Sequence, residues 1–251
     1  MTTSLNTLVK AAYELFAPYT IGKTLQLCKA CCVTDAEEKA LVETPLRQVS
    51  RDLMQNSYYE SARNGSDREL WEMKHFLPRV LELVTNFEFP CHSTEITFTR
   101  LDLNKPEKWT GEEIRLLQDF ALAFFNNCLI QYPLPSGDDL IDIVIMFGSA
   151  HFDLTDLLQA WENAATPASV LHLTRLVLYD VQNLGPKYAA LVNPFSEKWV
   201  DKAVITWLQS EQVKQKFAQQ LEVILLGNTL DEETAAEVSM AYELLPTVQS
   251  Y

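Results

Sequence analysis

The chain is poor in glycine and has no long apolar run. Only 7 of its 251 residues are glycine, a composition that suits helices better than a sheet built on tight glycine turns. Its longest apolar runs, such as residues 141–148, are far shorter than the roughly 20 residues of a membrane helix. Residues 1–19 lack the apolar segment and cleavage site of a signal peptide. We therefore expect a soluble, cytoplasmic protein without a membrane partner.

Positive charge is also scarce. The chain has 20 basic and 34 acidic residues, a formal net charge of -14 and a sequence pI of about 4.7. This charge repels nucleic acid and anionic lipid, so binding to DNA or RNA is not expected. A basic protein partner or a metal cation remains compatible with it.

Complete catalytic motifs are missing as well. The sequence contains no G-x-S-x-G, no phosphate-binding glycine loop and no H-E-x-x-H. Glu72 and His75 have the spacing of half a di-iron site, but no other histidine follows a glutamate at that distance. These absences favour a protein that is not an enzyme.

Apolar periodicity and helix-capping patterns predict about ten helical segments. Thr34 with Glu37 and Thr110 with Glu113 form capping-box patterns. Pro78 predicts a kink or break near His75, and residues 91–103 suggest either a strand or an extended connection. The predicted helices cover residues 5–16, 35–42, 51–63, 67–86, 111–131, 138–147, 153–164, 167–182, 196–209, 211–226 and 231–245.

Successive helices with short connections predict an all-α protein, built as one irregular multi-helical domain over residues 1–251. The alternative is a HEAT-like α-solenoid, which should repeat every 34 to 47 residues or so. No repeating consensus is visible. Gly185-Pro186 and Asn193-Pro194 mark a candidate subdomain boundary near residues 184–194.

Three of the five cysteines lie close together, in the pattern Cys28-x-x-Cys31-Cys32. Cys28 and Cys31 have the spacing of two zinc ligands, and Cys91-His92 is the remaining source of ligands. Without a preceding strand and a βαβ pattern, thioredoxin-like redox chemistry is disfavoured. The plain alternative is that these cysteines are small buried residues on one helical turn.

A second candidate site is the acidic motif Asp138-Asp139-x-x-Asp142. Its spacing brings three carboxylates together on a helix, as in the magnesium sites of all-α prenyl-chain enzymes. Those enzymes need a second acidic motif, which is not evident here. Acidic residues also stabilise a helix N-terminus through the helix dipole, which is the structural alternative.

Residues 27–83 contain a Cys28-x-x-Cys31 pair, the TPLR sequence ending at Arg47, a tyrosine-bearing helix and the block KHFLPRVLEL from Lys74. In this order the blocks resemble a family of uncharacterised bacterial proteins with no known activity. The resemblance implies that the cysteine pair, TPLR and HFLPR belong to one local structure. We predict that the turn from Cys28 to Cys32, here called the cysteine turn, packs near Pro78, with Arg47 or Arg79 binding helix-end carbonyls.

Taken together, these patterns favour a non-enzymatic protein-interaction module with an acidic helical surface. Two alternatives stay open. One is a zinc protein that uses Cys28 and Cys31, and the other is a magnesium-dependent enzyme that uses the three aspartates of residues 138–142.

Overall fold

Helices dominate the protein, which confirms the all-α prediction. A computed structural model describes residues 4–30, 32–61, 65–185, 188–227 and 229–248. Within these ranges the chain forms eleven α-helices and one two-stranded sheet. It divides into two compact units, Met1–Ala123 and Phe124–Tyr251, here called unit 1 and unit 2.

Four helices of unit 1 and the start of a fifth follow the predicted segments. They are α1 (Leu5–Leu15), α2 (Asp35–Glu43), α3 (Arg51–Met54), α4 (Asp67–Thr85) and α5 (Gly111–Cys128), the last of which ends in unit 2. Both predicted capping boxes form. Thr34 N–H donates to the Glu37 carboxylate at 2.8 Å, and Thr110 N–H donates to that of Glu113 at 2.7 Å.

Three local expectations for unit 1 differ from the structure. The helix after Ser50 leaves α geometry at Met54 and continues as a π-helical turn, Gln55–Tyr59. Pro78 does not break α4, whose apolar side stays buried along its length, because packing of that side outweighs one lost backbone hydrogen bond. In place of a strand, residues 91–103 contain two 3₁₀ turns, Thr94–Ile96 and Thr99–Leu101.

Unit 1 buries charged side chains in paired networks. Arg100 donates to the Glu69 carboxylate at 2.7 Å and to the carbonyls of Tyr58, Tyr59 and Ser61. Both ionic side chains are only 5% exposed. Such a pair is tolerated because the hydrogen bonds replace those lost with water.

A second buried network joins α4 to the N-terminus of α5. Lys74 Nζ lies 2.9 Å from the Glu113 carboxylate and donates to the hydroxyl of Tyr19 and the carbonyl of Lys108. The Tyr19 hydroxyl donates to Glu113 at 2.6 Å. Glu113 therefore serves as both a helix cap and an ion-pair partner.

The helices of unit 2 follow the predicted segments with shorter ends. They are α6 (Leu140–Ser149), α7 (Thr155–Asn163), α8 (Pro167–Arg175), α9 (Lys198–Gln209), α10 (Glu211–Leu226) and α11 (Glu232–Leu244). A π-helical turn, Leu176–Asp180, extends α8. Unit 2 also contains an antiparallel hairpin that was not predicted, formed by β1 (Val181–Gly185) and β2 (Tyr188–Leu191), in which Val181 pairs with Leu191.

Close packing of α6 on α9 sets the position of α9 in unit 2. Gly148 leaves so little room that a Cβ atom there would lie 2.6 Å from a methyl group of Val200. Contacts also link α8 to both α10 and α11, and α1 to α4. These pairings skip sequence neighbours, which favours the irregular arrangement over a HEAT-like solenoid.

The hairpin occupies most of the candidate subdomain boundary at residues 184–194, and it lies within unit 2. The assignment of residues 1–251 to a single domain stays a prediction. Among the described residues, no helix is long and apolar enough to cross a membrane.

Replacement of Arg100 by alanine should lower the free energy of unfolding by about 3–5 kcal/mol, because it removes the buried guanidinium group that binds the Glu69 carboxylate and three backbone carbonyls. Urea unfolding followed by circular dichroism measures this. The exposed Arg115→Ala on α5 is the control, with an expected change within about 0.5 kcal/mol. Equal effects of the two changes would contradict a structural role for the buried pair.

Candidate functional site

Two hydrogen bonds of the Cys28 backbone hold the start of the cysteine turn in place. Cys28 N–H donates to the Ser61 hydroxyl at 2.7 Å, and its carbonyl accepts from Val33 N–H at 3.1 Å. Cys31 lies outside the described residues. No group of three potential ligands that could hold a metal occurs within the described ranges. A zinc site at Cys28 and Cys31 therefore stays a prediction.

The cysteines further along the chain are poor thiolate donors. Burial raises the pKa of the Cys91 thiol to about 12, and burial also raises the pKa of Cys128. His92, next to Cys91, is exposed. A buried thiol with a high pKa is unreactive, because metals and electrophiles react with the thiolate.

The TPLR turn and the HFLPR segment do belong to one local structure. Arg79 Nε donates to the carbonyl of Val49 at 2.7 Å, where the 3₁₀ turn Leu46–Gln48 ends. Arg47 lies over the ring of Tyr13, 3.6 Å from its centre. Packing of the cysteine turn near Pro78, with Arg47 or Arg79 binding helix-end carbonyls there, stays a prediction.

The acidic motif at α6 has structural partners. Arg175 binds both carboxylate oxygens of Asp139, at 3.2 and 3.1 Å. The Asp142 carboxylate accepts from the N–H of Asp139 at 2.9 Å and from the side-chain amide of Asn193 at 2.9 Å. Two of the three predicted carboxylates thus contribute to the capping of α6 and to its contacts within unit 2.

Asp180 completes this acidic cluster and was not predicted from the sequence. One of its carboxylate oxygens is buried and has no hydrogen-bond partner among the described residues. Burial first, and then the charges of Asp139 and Asp142, raise its pKa from 3.8 to about 7. A neutral Asp180 relieves the repulsion among three nearby carboxyl groups.

The magnesium interpretation of Asp138, Asp139 and Asp142 is weakened by these bonds, because a cation would compete with Arg175 and Asn193 for the same oxygens. It remains a prediction. The structural alternative, in which acidic residues stabilise the N-terminus of a helix, explains the observed bonds directly.

A cleft lies between α7 and α9 in unit 2. This α7–α9 cleft has a volume of about 670 Å³, within the range of ligand-binding pockets. It is lined by Asp153, Leu154, Thr155, Leu158, Gln159, Glu162, Trp199, Lys202, Ala203, Thr206 and Trp207.

Two tryptophans stand at opposite ends of the α9 wall. Trp207 packs against Trp161 with ring centroids 5.5 Å apart and meets Phe217 of α10 edge-on at the same distance. Trp199 stacks on His151 at 5.8 Å. Trp207 lies eight positions after Trp199, which corresponds to about 12 Å along the helix axis.

The indole groups of Trp199 and Trp207 leave hydrogen bonds unmade. Both indole nitrogens are buried, and neither has an acceptor among the described residues. In contrast, the buried indole of Trp161 donates to the carbonyl of Ser169 at 3.2 Å. An unsatisfied buried donor costs about 1–3 kcal/mol, so each of these two indole groups carries a local energetic cost.

The cleft-lining positions on α9 are spaced as one helical stripe. Trp199, Lys202, Ala203, Thr206 and Trp207 follow the i, i+3, i+4, i+7, i+8 pattern. The helical spacing of this stripe, whose apolar members are Trp199, Ala203 and Trp207, can be read from the sequence. Only the fold shows that no element among the described residues fills the space that it borders.

The charge of the protein is unevenly distributed. Residues 124–251 contain sixteen acidic and six basic residues, whereas residues 1–123 contain eighteen and fourteen. Unit 2 therefore carries a formal charge of -10, and unit 1 carries -4. On unit 2, Glu222 and Glu243 are exposed and form no ion pair with any described residue.

The raised pKa of Asp180 makes a testable prediction about pH. Between about pH 4 and pH 7 the folded protein holds a proton that the unfolded chain releases, so this group lowers stability as pH rises through that window. Asp180→Asn should remove this loss. The free energy of unfolding should rise by about 1–3 kcal/mol at pH 8 and change little near pH 4.

Urea unfolding at several pH values measures this effect, with the exposed Asp156→Asn as the control. Equal pH dependence in the wild type and Asp180→Asn would contradict the assignment.

Comparison of the chain with protein-family models, with curated proteins and with solved structures gave no match. The bacterial family suggested by residues 27–83 stays a prediction.

Proposed function

We propose that this protein is a non-enzymatic interaction module that binds a basic partner protein through unit 2. The observation that carries the proposal is the concentration of negative charge in unit 2, at -10 of the total of -14. Uncompensated charge of one sign attracts a partner of the opposite sign and accelerates its association.

The distribution of buried and exposed charge supports this role. Unit 1 pairs many of its charges internally, as in the contacts of Arg100 with Glu69 and of Lys74 with Glu113. The acidic residues on α10 and α11 of unit 2 are mostly exposed. Exposed carboxylates contribute little to stability, which leaves them available for a partner.

A selection from a displayed library of random peptides tests the proposal. Peptides recovered on the full chain at low salt should carry net positive charge. Their affinity should fall about tenfold or more as NaCl rises from about 0.05 to about 0.5 M, because salt screens exposed charges. Glu222→Lys with Glu243→Lys should weaken binding several-fold.

Glu107→Lys with Glu112→Lys is the matched control, since it changes the net charge equally on exposed positions of unit 1. Recovery of neutral or acidic peptides only, or equal effects of the two double variants, would contradict the assignment to unit 2.

The second candidate function is metal binding, favoured by the spacing of Cys28 and Cys31. Elemental analysis of protein purified without chelator tests it. The interaction proposal expects no stoichiometric metal. About one zinc per chain that is lost in Cys28→Ser would instead support the zinc alternative, and Cys128→Ser, at a buried site in α5, is the control.

A further inference from the structure

The α7–α9 cleft has the form of a groove that can bind a third helix. Its α9 wall is the stripe from Trp199 to Trp207, and its α7 wall contributes Thr155, Leu158, Gln159 and Glu162 at matching helical spacing. Two adjacent helices with apolar residues along their common groove can accept the ridge of another helix. The described part of unit 2 supplies no such helix.

Backbone chemistry favours a helical occupant over an extended one. An extended peptide in this cleft needs hydrogen-bond partners for its own N–H and C=O groups. The backbone groups of α7 and α9 are occupied by their own helical hydrogen bonds, so an extended peptide would find partners only in scattered lining side chains such as Gln159 and Thr206. A helix satisfies its backbone internally and presents only side chains to the groove.

The charges beside the cleft differ between its two walls. Asp153 and Glu162 line it on the α7 side, and Lys202 lines it on the α9 side. Lys202 is exposed and forms no ion pair with any described residue, while Glu162 lies 3.6 Å from Lys216. An occupant with basic residues toward α7 and an acidic residue toward Lys202 complements both walls.

A second copy of this chain is a poor occupant. Each copy carries a formal charge of -14, so two copies repel each other at long range. A basic partner is instead attracted by the -10 charge of unit 2.

We propose that the α7–α9 cleft binds an amphipathic helix of a basic partner protein, an inference that rests on the proposed function. Apolar side chains spaced i, i+4 and i+7 on that helix enter between Leu158 and Ala203. Its basic flank faces Asp153 and Glu162, and its other flank faces Lys202. The helix covers the exposed parts of Trp199 and Trp207.

Two displayed libraries of peptides of about 18 residues test this inference. One has apolar residues at helical spacing and the other has the same residues at alternating positions, with random residues elsewhere in both. Binders to the full chain should come from the helical library. Ala203→Arg, which fills the cleft, should weaken their binding about tenfold or more.

Ile130→Arg is the matched control, because it adds the same charge at an exposed site of unit 2 that does not line the cleft. It should change binding by less than about twofold. Circular dichroism of both variants establishes that they are folded. Lys202→Glu leaves the packing unchanged and should switch the selected residue on that flank from acidic to basic.

The outcomes separate this inference from the proposed function. Basic binders whose affinity does not change in Ala203→Arg, or that come from the alternating library, would contradict the binding of a helix in the cleft. They would not contradict the proposed function. Recovery of no basic binder from either library, or from the random peptides, would overturn both.

Discussion

The guanidinium group of Arg100 is the contact on which the organisation of unit 1 depends. It binds the Glu69 carboxylate of α4 and the carbonyls of Tyr58, Tyr59 and Ser61, all of which lie at or after the π-helical turn. The irregular segment around Arg100 itself has only short 3₁₀ turns. Because a buried guanidinium must have every donor satisfied, this one side chain holds three segments in a single arrangement.

Unit 2 is organised mainly by apolar packing. Its α6 is buried along nearly its whole length, and Gly148 allows α9 to approach it closely. The charges of unit 2 lie mainly at the surface, apart from the cluster in which Arg175 binds Asp139. The α7–α9 cleft is an opening of unit 2 in which apolar side chains and charges lie side by side.

Much of the fold was predictable because capping and periodicity are local. Thr34 and Thr110 cap their helices as expected, and the segments before Pro45 and Pro133 end where predicted to within a few residues. The β1–β2 hairpin was not predicted, since its pairing joins residues on either side of a Gly-Pro sequence. Pro78 does not break α4, because burial of the apolar side of this helix outweighs the local cost of proline.

The sequence alone determined the helical class, the acidic charge and the spacing of Asp139 and Asp142, because these follow from composition and short-range pattern. The tertiary structure decided which partners those residues meet. Arg175, Asp180 and Asn193 reach the α6 N-terminus from positions about 40 to 50 residues away in sequence. Likewise, the helical spacing of the residues from Trp199 to Trp207 can be read from the sequence, but only the fold shows that they border a cleft together with α7.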